Sequence, residues 1–294
     1  MAPNMTGALL MMGSMAAFTV NDTLVKAVGA DLPLFQIVTL RGLLATVLIF
    51  FLARHLGALH LNFPRRDKIT VLLRCASEVA ATFFFLTALM HMPLANVTAV
   101  LQALPLTVTL GAALFFKEPV GWRRMTAIGV GFVGMLLIVR PGPEGFSSHA
   151  IYALFAVVCV TARDLLTRRM SPEVPSMVVT LATSIAVTMT GALASATTEW
   201  APLTLAAGTT LAAAAVFVLM GYVFSVMVMR VGEVGFVAPF RYSSLIWALV
   251  LGWTVFGDWP DRITMLGAAL VVGAGLFTLF RERALQSSEQ VHRT

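Results

Sequence analysis

The sequence predicts an all-α integral membrane protein of ten transmembrane helices, built as two inverted five-helix repeats with both termini in the cytoplasm. Three observations predict this fold: the apolar composition, the spacing of the apolar segments, and the placement of Lys and Arg between them. Of the 294 residues, 59% are hydrophobic and only 12% are charged, whereas soluble domains average about 25% charged residues. Such a chain could not cover its surface with polar groups in water, so it belongs in a membrane.

The apolar segments have the length of membrane-crossing helices, which need about 20 residues each. They lack regular alternation of apolar and polar residues, so they indicate helices and not barrel strands. Ten such segments lie near residues 6–28, 34–53, 69–91, 94–116, 123–139, 149–168, 176–197, 205–229, 234–256 and 262–280. The longest connection, Arg54–Lys68, has about fifteen residues and leaves no room for a soluble domain.

The basic residues in the connections determine the predicted orientation, because cytoplasmic loops carry an excess of Lys and Arg. With the N-terminus inside, thirteen of these residues are cytoplasmic, and only Lys26, Arg140 and Arg262 lie outside. The remaining four are arginines within apolar segments. The asymmetry predicts a multi-pass membrane protein with both termini in the cytoplasm.

The chain also repeats itself. Asn21–Lys26 aligns with Arg163–Arg168, and Asp31–Pro33 meets Glu173–Pro175 at the same offset. The sequence therefore predicts a first five-helix repeat over residues 1–142 and a second over 143–294, which also carries a short cytoplasmic tail. Because five is odd, the second repeat enters from the opposite side of the membrane, and inverted repeats are typical of transporters with a substrate site near the midplane.

Two segments carry a resemblance to a known family. One is Ala95–Pro119, with Pro105 inside it and Lys-Glu-Pro at its end; the other is Ala238–Ser244, followed by Phe256–Asp258. They resemble the ends of the two repeats of the drug/metabolite transporter superfamily, of the EamA type, although the aspartate at 258 replaces that family's usual glutamate. The resemblance covers nearly the whole chain and is closest to the bacterial exporters of aromatic and other neutral amino acids.

The resemblance implies a secondary transporter of the bacterial inner membrane that works by alternating access. Its cavity would be lined by both halves, with the fifth and tenth helices at the periphery. The implied cargo is neutral amino acids, with aromatic and hydrophobic ones favoured, moving outward. The alternative is an exporter of drugs or other small metabolites, such as sugar nucleotides, on the same fold.

Charged side chains inside the membrane are costly and are commonly functional. Six of them balance in sign: Asp22, Glu78, Asp164, Arg41, Arg163 and Arg241. At about 1.5 Å of rise per residue, Asp22 and Arg41 both lie toward the outside and could pair, while Glu78, Asp164 and Arg241 could form an inner group. Static ion pairs, gates or hooks for a zwitterion, and proton coupling all remain open interpretations.

Other candidate site residues are polar or helix-breaking side chains on the fourth, eighth and ninth segments. They are Thr98, Gln102, Pro105, Tyr222, Pro239, Arg241 and Tyr242. Because Pro105 frees a backbone carbonyl, a cavity or a neighbouring helix must satisfy that group. Phenylalanines 83–85 could wall an aromatic cargo, although core packing is the commoner role. Among all of these we expect Arg241 to orient the substrate and Gln102 to face it.

One motif is rejected. Gly129–Gly134 fits the dinucleotide pattern GxGxxG, but no strand precedes it and it lies inside a membrane helix. Small residues allow close helix approach, so we expect helix packing, or a homodimer through the fifth and tenth helices, where Gly267 offers a matching surface. No catalytic, metal-ligand or nucleotide-hydrolysis motif is present in the sequence, and we expect no enzyme activity, cofactor, metal or nucleic-acid partner. The expected partners are a small-molecule substrate and the lipid bilayer.

Overall fold

A computed structural model describes residues 3–57, 59, 63–118, 120–140, 148–231 and 234–291. Within those ranges all the regular secondary structure is helical, which confirms the predicted all-α class. The helices are α1 Pro3–Val28, α2 Leu34–His55, α3 Arg65–His91, α4 Leu94–Leu101, α5 Leu104–Phe116, α6 Trp122–Val139, α7 Ser148–Arg169, α8 Ser176–Ser195, α9 Leu205–Val231, α10 Val234–Val237, α11 Ser243–Phe256 and α12 Arg262–Val291.

Nine of the ten predicted spans correspond, within the described ranges, to helices long and apolar enough to cross a membrane. The remaining one, predicted over 234–256, consists of α10, a 3₁₀ segment at Ala238–Tyr242, and α11. A 3₁₀ stretch inside a longer helix often marks a hinge. The orientation of the termini and the inversion of the repeats stay predictions.

Prolines determine where the fourth and ninth spans are interrupted. Pro105 occupies the first turn of α5, immediately after the break at residues 102–103, and Pro239 occupies the first turn of the 3₁₀ segment. In a first turn the missing proline N–H is not needed for an intrahelical hydrogen bond, so each proline starts a new helical segment at little cost.

The described chain divides into two compact units. The first contains Met1–Thr19, Met92–Ile151 and Gly221–Thr294, and the second contains Val20–His91 and Tyr152–Met220. Three of the four unit boundaries fall inside α1, α7 and α9, and the fourth falls between α3 and α4. The division of the chain into repeats at residue 142 stays a prediction.

In the first unit, α6 packs closely against α12. A Cβ built on Gly134 would lie 2.7 Å from the Gly267 carbonyl oxygen, and one built on Gly267 would lie 2.6 Å from that of Gly134. The predicted role of these glycines in helix packing is therefore confirmed within the chain. Leu106, Ile128 and Ala274 form the adjoining apolar core.

In the second unit, α2 packs against α8, and α3 also packs against α8. The Thr46 hydroxyl lies 2.7 Å from that of Ser184. The fully buried Gln36 side chain forms two hydrogen bonds of 2.9 Å with the backbone of Ala201, one to its carbonyl and one from its N–H. These contacts hold α2 against α8 and against the segment that follows α8.

Candidate functional site

In the second unit, α3 and the part of α7 that belongs to this unit run antiparallel and touch through long side chains. The contacts proceed from Phe84 with Phe155, through Glu78 with Arg163, to Arg74 with Thr167. Residue numbers fall along α3 as they rise along α7, which defines the antiparallel register. Aromatic contacts therefore occupy one end of the pair and charged contacts the other.

We call Arg74, Glu78, Arg163 and Asp164 the charged cluster. The Arg163 guanidinium lies 3.0 Å from Glu78 Oε2 and 2.8 Å from Asp164 Oδ1. All three side chains are partly buried, with 24%, 16% and 30% exposure for Arg163, Glu78 and Asp164. Because removing one partner would leave a poorly solvated charge behind, such contacts are costly to break.

The partner that these carboxylates have within this unit was not predicted from the sequence. Glu78 and Asp164 both bind Arg163. Arg241 is an exposed residue of the other unit, and its grouping with the two carboxylates stays a prediction. Helical rise gives depth along the membrane but not the direction in which a side chain points, so it could not distinguish the two arginines. Taken together, Arg163 and the two carboxylates have one formal negative charge.

Arg74 completes the charged cluster and was not a predicted site residue. Its Nε donates to Thr167 Oγ1 at 3.0 Å and its Nη1 donates to Thr183 Oγ1 at 2.5 Å. It lies four residues before Glu78, and side chains at this spacing share a helix face. That spacing was the available sequence signal for including Arg74.

A second polar group in this unit joins α1 to α2. Arg41 Nη1 donates to Asn21 Oδ1 at 3.0 Å, and Asn21 Nδ2 donates to Asp22 Oδ1 at 2.9 Å. Asp22 and Arg41 therefore lie close together, as expected, with the buried Asn21 amide forming a bridge between them. Asn21 was not among the predicted site residues. Its position next to the intramembrane Asp22 was the available sequence signal.

Aromatic rings form a chain beside the charged cluster. Phe83 and Phe84 both lie against Tyr152, with ring centroids 6.4 and 5.9 Å apart, and Phe84 also stacks on Phe155 at 5.2 Å. Phe35 stacks on Phe83 at 6.2 Å. We call these five rings the aromatic cluster. Phe84 follows Glu78 by six residues, so the two clusters lie about 9 Å apart along α3.

The first unit holds the other predicted residues. Gln102, at the break between α4 and α5, is buried and donates through Nε2 to Ser244 Oγ at 2.6 Å. The Ser244 hydroxyl in turn donates to the Arg241 carbonyl at 3.1 Å. Gln102 thus meets the turn that carries Arg241, but through Ser244, while the Arg241 side chain is exposed.

The remaining candidates differ in their surroundings. Tyr242 is buried, and its hydroxyl lies against Gly275, where a Cβ would collide with it. Tyr222 is 38% exposed and makes an edge contact with Phe18 at 5.3 Å. Thr98, Pro105 and Pro239 are partly buried. Among the predicted residues of this unit, Gln102 and the backbone of Arg241 thus lie close together, joined by the Ser244 hydroxyl.

The amino-acid sequence matches a known transporter family over both halves of the chain. The model of the EamA-like transporter family matches residues 5–140 and 147–280. The chain is a member of the EamA-like transporter family. The predicted family is therefore confirmed, whereas its amino acid exporter branch stays a prediction.

Named relatives of this EamA-like transporter carry several cargoes. The S-adenosylmethionine uptake transporter of Rickettsia prowazekii is 24% identical over 281 residues, covering 94% of this chain and 93% of the relative. The pseudopaline exporter CntI of Pseudomonas aeruginosa is 27% identical, covering 92% and 94%. The riboflavin transporter of Vibrio cholerae is 26% identical, covering 90% of each chain.

A solved crystal structure shares the fold. It aligns with a TM-score of 0.66 at 19% identity, covering 96% of this chain and 99% of its own. Together with the nine spanning helices of the described ranges and the bacterial relatives, these matches show a multi-pass small-molecule transporter of the bacterial inner membrane.

Proposed function

We propose that this EamA-like transporter carries a small metabolite that combines a zwitterionic aminocarboxylate with an aromatic or heterocyclic body, and that it works by alternating access. The supporting observation is the position of the charged and aromatic clusters, side by side on α3 and α7. Neutral aromatic amino acids, the cargo predicted from the sequence, belong to this class. So does S-adenosylmethionine, a methionine whose sulfur bears an adenosyl group, which is the cargo named for one relative.

The charged cluster offers one partner for each end of a zwitterion. A cargo carboxylate would pair with Arg163, and a cargo ammonium would pair with Glu78 or Asp164. Because a zwitterion adds no net charge, it can replace one protein ion pair by two pairs with the protein, and no charge is left unpaired in a poorly solvated site. A buried ion pair of this kind can therefore open for cargo and close behind it.

The aromatic cluster offers the contact for the cargo's body. Offset and edge-on ring pairs contribute about 0.5–1.5 kcal/mol each beyond simple burial. Phe83 and Phe155 retain 40% and 50% exposure, so both rings have surface left for a further partner. A cargo about 9 Å long would reach from these rings to Glu78.

Sugar nucleotides, the alternative cargo, fit this unit less well. Phosphate groups are best bound by clusters of guanidinium donors, but in the charged cluster the two arginines are matched by two carboxylates. Two carboxylates in the same cluster would repel a diphosphate. Export stays a prediction, and the named relatives include both an uptake transporter and an exporter.

Counterflow in proteoliposomes tests the proposal. Labelled phenylalanine, S-adenosylmethionine, riboflavin and a sugar nucleotide are compared, each with and without a proton gradient. We expect exchange of the two aminocarboxylates, and we expect Glu78→Gln to lower it by about tenfold or more, the loss for a charged hydrogen bond. Asp164 would still pair with Arg163 in this variant, so the protein should fold.

The matched control is Glu173→Gln, which removes an exposed carboxylate from the same unit. It should leave exchange unchanged. Exchange of the sugar nucleotide or riboflavin alone would refute the cargo class, and normal exchange by Glu78→Gln would refute the role of the charged cluster.

A further inference from the structure

A groove of about 520 Å³ lies on the first unit. It runs between α6 and α12, two helices long and apolar enough to span the membrane. Its lining is Trp122, Arg123, Thr126, Ala127, Val130, Ala274 and Phe277. Most of these side chains are apolar, and the one charge stands at one end of the groove.

The antiparallel register of α6 and α12 shows that this end is basic. Gly131 faces Ala274 at 3.4 Å and Gly134 faces Val271 at 3.1 Å, measured from a Cβ built on each glycine. Continuing this register brings Arg281 opposite residue 124, beside Arg123. The sequence predicts that these residues lie on the cytoplasmic side.

The other end of the same helix pair has a different electrostatic character. There Arg140 forms an ion pair with Asp261, so its charge is compensated within the protein. Fixed positive charge is thus concentrated at the predicted cytoplasmic end, where the first turn of α6 contains no acidic residue. The positive end of the α6 dipole adds to it.

We propose that this groove binds one anionic phospholipid, with the headgroup phosphate at Arg123 and Arg281 and an acyl chain along Thr126, Val130 and Phe277. Basic pockets between membrane helices on the cytoplasmic side bind anionic lipid headgroups. Arg123 and Val130 are seven residues apart, so the groove follows a lipid chain for about 10 Å into the membrane.

Trp122 supports this occupant. Its side chain is 74% exposed, and the Arg123 guanidinium lies 5.4 Å from its ring centroid. Tryptophan is enriched at the headgroup level of membranes, and the stacked arginine is held at that same level. The groove thus combines a headgroup contact, an interfacial anchor and an apolar channel in the order in which a phospholipid presents its parts.

Native mass spectrometry of the purified full-length protein tests the proposal. The protein is titrated in detergent with phosphatidylglycerol and, separately, with phosphatidylcholine of the same acyl chains. We expect tighter binding of phosphatidylglycerol, and about fivefold weaker binding in Arg123→Gln, as one basic residue near a membrane surface contributes. Val130→Trp should abolish lipid binding, because the larger side chain would fill the groove.

Two control variants isolate the site. Arg66→Gln removes an exposed basic residue from α3, and Val133→Trp adds the same bulk to an exposed position of α6 outside the groove lining. Both should bind lipid normally. The proposal would be overturned if the two lipids bound equally, or if either variant had the same effect as its control. It would also be overturned if inorganic phosphate displaced the lipid, or if a second copy of the chain occupied this face.

Discussion

The contact between α6 and α12 predicts a large difference between glycines of the same helix. In Gly134→Ala, the new Cβ would lie 2.7 Å from the Gly267 carbonyl oxygen and 2.9 Å from Leu270 Cβ. Ordinary contact begins at 3.4 Å, so the two helices would have to separate by about 0.7 Å. A backbone oxygen cannot rotate aside, and overpacking of this kind typically costs about 1–3 kcal/mol.

Gly129→Ala is the control, since a Cβ there meets no atom within 4 Å. Both variants gain the same helix propensity, about 1 kcal/mol for alanine over glycine, so their difference isolates the packing cost. Thermal unfolding of the purified protein in detergent, followed by tryptophan fluorescence, should show Gly134→Ala unfolding several degrees below Gly129→Ala. Equal unfolding temperatures would refute the close approach of the two helices.

Three further predictions concern single side chains. Gln36→Leu should lower the free energy of unfolding by about 2 kcal/mol or more, because it leaves the buried backbone groups of Ala201 without their partners. Tyr242→Phe should keep or raise thermal stability, since among the described residues the buried Tyr242 hydroxyl has no hydrogen-bond partner. The backbone N–H of Thr264 lowers the pKa of Asp261, so Asp261→Asn should be less stable than the parent at neutral pH. The difference should shrink as the pH falls below the ordinary aspartate pKa of about 4, and it should disappear once the pH is below the lowered pKa of the folded carboxylate.

Each of these has a contradicting result. Thr39→Val serves as the control for Gln36→Leu, because the Thr39 hydroxyl bonds to the Phe35 carbonyl of its own helix, and equal losses from both would contradict the Ala201 contact. Destabilisation by Tyr242→Phe would show that the hydroxyl has a partner. A difference for Asp261→Asn that does not shrink as the pH falls below about 4 would exclude the carboxylate charge as its cause.

The spans could be predicted from the sequence because a bilayer demands long apolar segments. α2 and α6 begin within one residue of the predicted starts at 34 and 123. α12 instead continues to Val291, beyond the predicted end at 280. Hydropathy reports where the apolar segment ends, whereas helical hydrogen bonds continue through polar residues of good helix propensity.

The side-chain partners could be predicted only in part. Helical rise correctly brought Glu78 and Asp164 to similar depth, but their shared partner is Arg163, the residue next to Asp164 in the chain. Which of several arginines at one level meets a carboxylate depends on how each helix is rotated about its axis. That rotation is determined by packing partners such as the Thr46–Ser184 contact of α2 with α8, which no single segment of sequence contains.

The five-residue 3₁₀ segment at Ala238–Tyr242 differs in rise and twist from the α-helical segments on either side of it in the ninth span. A 3₁₀ helix rises about 2.0 Å per residue with three residues per turn, against about 1.5 Å and 3.6 for an α-helix. Rewinding five residues from one form to the other would shorten the segment by about 2.5 Å and rotate α11 by about 100° relative to α10. Small backbone changes at Pro239–Arg241 would thereby present a different face of α11, with Trp247 and Val250, to its surroundings.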